Sequence, residues 1–218
     1  MPAGAGVTRL TPLTLEGPAG ELEAVLQERE GDAPTHVALV LHPHPLYGGT
    51  LHNKVVHRVA ATLHALGAAV LRINFRGVGK SAGSHDRGVG ELEDARAALD
   101  WLTRRHPDAR RWLAGFSFGS WIAALLAAEV SGIERLILIA PPVTSSSFEV
   151  LRTVTTPKLV IQGAADDVCP PAALEVEWKK WAAPRELIVV PGANHFFDRQ
   201  LGELAAALTR SLGASPRP

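Results

Sequence analysis

Apolar and polar positions alternate with a period of two over Thr11 to Leu15 and again over Leu22 to Gln27, and Gly17, Pro18 and Gly20 lie between them. That pattern predicts an antiparallel hairpin at the start of the chain. Beyond it the rhythm changes. Six short apolar runs follow: Val37 to Leu41, Ala68 to Phe75, Arg111 to Ala114, Leu136 to Ile139, Lys158 to Ile161 and Leu187 to Val190. Between them, His52 to Leu66, Glu91 to Arg104, Phe118 to Val130, Ala172 to Trp181 and Phe197 to Leu212 place apolar residues three and four apart, as crossover helices do. A run such as Leu136-Ile137-Leu138-Ile139 suits a strand covered on both faces, so the fold expected is an open α/β sheet, mostly parallel, with helices on both sides. In such sheets chemistry belongs at the carboxyl ends of the strands.

Composition narrows the partners. With 218 residues and 46% apolar residues, one core and one domain over 1–218 are expected, with the ends (about 1–8 and 213–218) flexible. Lys plus Arg balances Asp plus Glu at 22 each, which gives no field to draw nucleic acid or an anionic membrane. Cys169 is the sole cysteine, so neither an internal disulfide nor a cysteine-based zinc site is expected. No basic leader precedes an apolar stretch and no run approaches eighteen apolar residues, which predicts a cytoplasmic protein. The composition leaves the oligomeric state open.

Gly115-Phe116-Ser117-Phe118-Gly119 stands between a predicted strand and a predicted helix, which is the setting of a G-x-S-x-G nucleophile turn. The turn strains the serine and leaves room only for small residues on either side. It also aims the Phe118 N–H and the helix's positive end at the point where the hydroxyl stands. A serine needs a base, and the base needs an acid, in the chain order serine, acid, histidine that α/β-hydrolases use. Asp166 and Asp167 follow the Lys158 to Ile161 strand, and His195 follows the last strand. Either carboxylate could serve, with His195 as the base. The second oxyanion donor is expected from the His42-Pro43-His44-Pro45 loop, where among 43 to 45 only His44 retains a backbone N–H.

Those motifs, with Gly48-Gly49-Thr50, Asn53-Lys54, Asn74-Phe75-Arg76-Gly77-Val78-Gly79-Lys80-Ser81, Gly163-Ala164-Ala165-Asp166 and Asn194-His195-Phe196-Phe197, resemble a bacterial family of small, lidless α/β-hydrolases, distantly similar to dienelactone hydrolases. The resemblance covers roughly His36 to Leu201. It implies an α/β-hydrolase fold, a cofactor-free and metal-free serine esterase acting on small esters, a triad of Ser117, Asp166 and His195, and oxyanion donors at Phe118 and His44. Dienelactone hydrolases carry cysteine where Ser117 stands, so the likeness points away from a lactone-specific enzyme. Thioesters, lactones and amides remain open on the same triad. Seventeen residues, Ala140 to Thr156, separate two strands where such folds commonly insert a lid, too few for a substantial one. Trp121, Phe148 and Phe196 are candidates for the substrate pocket, with Phe197 as a further wall.

Three other readings compete. Gly79-Lys80-Ser81 ends like a phosphate-binding loop, but Asn74 stands where its first glycine belongs, and polar loop follows instead of a helix. His42, His44, His52 and His57 suggest a metal-dependent hydrolase, but His52 and His57, five apart, diverge on a helix. A binding module that kept the fold without the chemistry is the third.

Overall fold

In the computed structural model, residues 7–31 and 33–213 are described. An eight-stranded sheet runs through them in the order β1-β2-β4-β3-β5-β6-β7-β8. Its strands are β1 (Thr8–Gly17), β2 (Gly20–Arg29), β3 (His36–Leu41), β4 (Ala68–Ile73), β5 (Arg110–Phe116), β6 (Ile133–Ile139), β7 (Lys158–Gly163) and β8 (Arg185–Val190). The β1–β2 hairpin is antiparallel and adds to β4 antiparallel, while every pairing from β4 across to β8 is parallel. The helices are α1 (Lys54–Ala65), α2 (Val89–Arg105), α3 (Phe118–Glu129), α4 (Pro171–Trp178) and α5 (Leu201–Gly213).

Strand alternation divides the core in two. On β3, Val37, Leu39 and Leu41 face Ala95, Leu99, Ile122 and Leu126 of α2 and α3, whereas Ala38 and Val40 face Val56, Val59, Leu204 and Leu208 of α1 and α5. Two buried faces explain the unbroken apolar runs of the central strands. The chain leaves β3 toward β4 and returns to β5 on the other side, so a crevice opens between β3 and β5 at their carboxyl ends.

All the expected strands and helices form, with shifted ends. β4 stops at Ile73 because Asn74 and Phe75 turn their N–H groups to Glu23 O and His42 Nε2. α1 begins at Lys54, capped by the Asn53 side chain, which accepts from Val55 N. α4 ends at Trp178, and Trp181 lies beyond the helix in the core. α5 starts at Leu201, since Phe197 and Arg199 hold left-handed backbone conformations (φ 51° and 61°) that no helix admits. Of the ends expected to be flexible, 1–6 and 214–218 lie outside the described residues. Thr8 pairs with Arg29 in β1, and Gly213 closes α5.

Between β6 and β7, residues 140–157 contain only a four-residue 3₁₀ turn, Glu149–Arg152. No lid helix is inserted there. Among the described residues no helix is long and apolar enough to cross a membrane.

Candidate active site

Ser117 sits between β5 and α3 with φ 51° and ψ −120°, a conformation L-residues avoid. Backbone crowding fixes the glycines around it. A Cβ on Gly115 would lie 2.1 Å from Gly119 O, and one on Gly119 would lie 2.4 Å from Leu41 O and 2.6 Å from His42 O. The turn is pinned by Ser117 N–H, which donates to Ile139 O at 2.9 Å. The first turn of α3 therefore presses directly on the loop leaving β3.

The Ser117 hydroxyl donates to His195 Nε2 at 3.1 Å, and His195 Nδ1 donates to Asp166 Oδ2 at 2.9 Å. A carboxylate that accepts here requires the proton on Nδ1, which leaves Nε2 free to accept. Asp166 is 3% exposed and receives three further donors: Gln162 Nε2 on Oδ2 (2.9 Å), and Val168 N and Cys169 N on Oδ1 (3.0 and 2.7 Å). Asp167 is exposed and takes no part in this network. The three side chains come from the loops after β5, β7 and β8, converging on one edge of the sheet. Gly163 allows that convergence, because a Cβ there would lie 2.3 Å from Ala193 O.

His44 and Phe118 are neighbours, with ring centroids 4.9 Å apart. Phe118 is the first residue of α3, a position whose N–H has no acceptor within the helix. The His44 side chain turns back into its own loop, where Nδ1 accepts from Leu46 N at 3.2 Å. Its pKa is lowered, by burial first and then by the nearby His85.

The three pocket candidates separate. Phe196 stands beside the triad, its ring 5.1 Å from that of His195 and 42% exposed. Trp121 packs on Phe118 and donates its indole N–H to Ser147 O at 2.9 Å, lining a groove of about 310 Å³ with Arg87, Val89, Leu92 and Leu125. Phe148 is not brought to the site: it is 2% exposed and stacks on Trp181 in the core, as buried aromatics commonly do. Phe197 is fully buried in the core under α5. A cavity of about 420 Å³ over the β1–β2 hairpin contains no triad residue.

Sequence reasoning missed several supporting residues. Gln162 holds Asp166 and also donates to Cys169 O (2.7 Å); a polar residue directly after the apolar run Leu159 to Ile161 was the available signal. His42 is fully buried, donates from Nδ1 to Pro43 O and accepts Phe75 N–H at Nε2 (3.0 Å). Burial lowers it to about 4, so it stays neutral. Arg76 is clamped by Asp94 through Nε and Nη2, tying the 74–81 segment to α2.

That segment is no phosphate cradle. Lys80 N donates to the Glu23 carboxylate at 2.8 Å, where a phosphate would need the donor, and α2 begins only at Val89. The four clustered histidines do not converge either: His42 is in the core, while His52 and His57 are exposed.

A mostly parallel sheet with a strained serine turn and a serine–histidine–aspartate chain at its carboxyl edge defines an α/β serine hydrolase. Residues 36–151 match the family described as serine aminopeptidase, S33, and the chain belongs to it. An α/β serine hydrolase homologue from Coxiella burnetii is 40% identical, with a TM-score of 0.89 over 93% of this chain and 97% of that one. A serine hydrolase without a lid from Xanthomonas campestris is 38% identical (TM-score 0.88; 98% and 100% covered). A dienelactone hydrolase from Anabaena variabilis shares the fold at 20% identity (TM-score 0.81; 96% and 99% covered).

Proposed function

We propose that the protein cleaves small carboxylic esters through an acyl-enzyme on Ser117. The observation that carries this reading is the buried chain from Ser117 through His195 to Asp166. As Ser117 Oγ attacks the ester carbonyl, its proton passes to His195 Nε2, and Asp166 stabilises the imidazolium that forms. The tetrahedral oxyanion is held by the Phe118 and His44 N–H groups. His195 then protonates the leaving alcohol, and a water activated by the same nitrogen hydrolyses the acyl-enzyme. These steps draw on side chains, backbone and water alone. A single domain over 1–218 working in the cytoplasm is part of the same reading.

The family description raises cleavage of amino-terminal peptide bonds as a second reading. An aminopeptidase needs a carboxylate free to bind an α-ammonium group. Asp198, the exposed acid on the loop after His195, is already bonded by Lys54 and Asn194. Glu91 is fully buried and accepts from Asp86 N and Gly88 N. Asp167, exposed beside Asp166, is the carboxylate the peptidase reading would have to use.

Residues 140–157 build no lid helix over the site. A methylene contributes about 0.8 kcal/mol only where protein covers it, so kcat/KM should peak at about two to six acyl carbons. Labelling with a fluorophosphonate, followed by p-nitrophenyl esters and amino-acid p-nitroanilides on the wild type and Ser117→Ala, tests the reading. Loss of label and turnover in Ser117→Ala is expected. Turnover at the wild-type rate in that variant would sink the acyl-enzyme, and preference for p-nitroanilides would favour the peptidase.

A further inference from the structure

The proposed hydrolysis gives no task to the Cys169 thiol, yet it lies against Asp166 and His195, the acid and the base of the proposed triad. One ligand atom each from Asp166, Cys169 and His195 lies within 4.8 Å of the other two, and these residues are 3%, 1% and 4% exposed. Cys169 is held there by its own backbone, its N–H donating to Asp166 Oδ1 and its carbonyl accepting from Gln162 Nε2, each at 2.7 Å. The same Gln162 amide carries a buried Oε1 with no hydrogen-bond partner.

We propose that Asp166, Cys169 and His195 form a latent inhibitory site for a thiophilic divalent cation such as Zn²⁺ or Cd²⁺. A thiolate, an imidazole and a carboxylate hold Zn²⁺ at about 2.3, 2.0–2.1 and 2.0–2.2 Å, which places tetrahedral ligand atoms about 3.4–3.6 Å apart. The three groups need to close by on the order of 1 Å to reach that geometry. The cation displaces the Cys169 Sγ proton to solvent and the His195 proton moves from Nδ1 to Nε2, so a pocket that carries the Asp166 charge becomes neutral. Burial, which penalises an unbalanced charge, therefore does not oppose the exchange. Soft sulfur favours Zn²⁺ and Cd²⁺ over Mg²⁺ and Ca²⁺. With Nδ1 on the cation, His195 loses the Asp166 hydrogen bond that sets its tautomer. Inhibition follows, and that consequence rests on the triad reading, whereas the binding does not.

Cys169 is the sole cysteine, so any thiolate-to-cadmium charge-transfer absorption reports this residue alone. Titrating the whole protein with Cd²⁺ should raise that ultraviolet band to saturation at one cation per chain. Ester turnover should fall in parallel, and a chelator should restore it. Losing an outer-shell partner alone weakens metal sites by about 10–100-fold, so Cys169→Ala and Cys169→Ser should need about 100-fold more Cd²⁺ or greater, each judged against its own metal-free rate. Ser117→Ala, which lacks the nucleophile, should still develop the band, and so separates failure of the site from failure of the triad reading. Absence of the band in saturating Cd²⁺, or equal sensitivity of the cysteine variants, overturns the proposal.

Discussion

Replacing Asp166 with Asn tests the acid of the triad, because the surrounding donors dictate how an amide must sit. Oδ1 accepts two backbone N–H groups, from Val168 and Cys169, while Oδ2 accepts His195 Nδ1 and Gln162 Nε2. An asparagine can keep its oxygen on only one side. Facing its NH₂ toward the two backbone donors would orphan both, at about 1–3 kcal/mol each, or about 2–6 kcal/mol in all. The oxygen therefore stays with Val168 and Cys169, and the NH₂ turns to His195. There it donates to Nδ1, moving the imidazole proton to Nε2, where it can no longer accept from Ser117. The Gln162 amide cannot repair this by flipping, since its oxygen would then face Cys169 O. A trapped wrong tautomer costs about 10⁴ in kcat, equivalent to about 5.5 kcal/mol of barrier. Steady-state hydrolysis of p-nitrophenyl acetate, with thermal unfolding to confirm folding, measures the loss. Asp167→Asn, on an exposed carboxylate outside the network, is the control and should stay within about threefold of wild type. A folded Asp166→Asn protein that keeps more than about one hundredth of kcat would refute the tautomer argument.

His44→Ala should retain most activity, because only its backbone N–H is assigned a role; a fall of about 100-fold or more would mean that the side chain takes part. Gly119→Ala drives a Cβ to within 2.4 Å of the Leu41 backbone oxygen and should lower the stability measured by urea unfolding by at least about 1–3 kcal/mol; an unchanged midpoint would show that the turn can relax. His42 titrates at about 4 in the folded protein against 6.5 as the unperturbed value, so its contribution is complete above pH 6.5 and is lost as the pH falls toward 4. The expected slope is up to about 1.4 kcal/mol per pH unit, and urea unfolding of His42→Gln should show a shallower acid loss; parallel curves would remove His42 as its source.

The sequence by itself determined the elements and the nucleophile's setting. Period-two alternation located the hairpin strands, unbroken apolar runs the parallel strands buried on two faces, and period-three-to-four patterns the helices. Gly115 and Gly119 were legible as a motif set between a strand and a helix, although the contacts that exclude a side chain there reach from Gly115 to Gly119 O and from Gly119 to Leu41 O on the loop after β3. The order Ser117, then Asp166 or Asp167, then His195 was also readable, each after its strand. Tertiary structure decided what depended on facing. Asp166 and Asp167 are chemically identical neighbours, and only the backbone N–H groups of Val168 and Cys169, with Gln162 and His195, distinguish the buried one from the exposed one. Phe148 and Phe196 have the same side chain too, yet one stacks on Trp181 in the core and the other stands beside His195. The ends of β4 and α5 were set by partners far along the chain and by left-handed residues at 197 and 199, which a hydrophobic pattern does not encode. The placing of Cys169 against the Asp166–His195 pair likewise exists only once the loops after β7 and β8 meet, since contact across 26 residues leaves no trace in local periodicity.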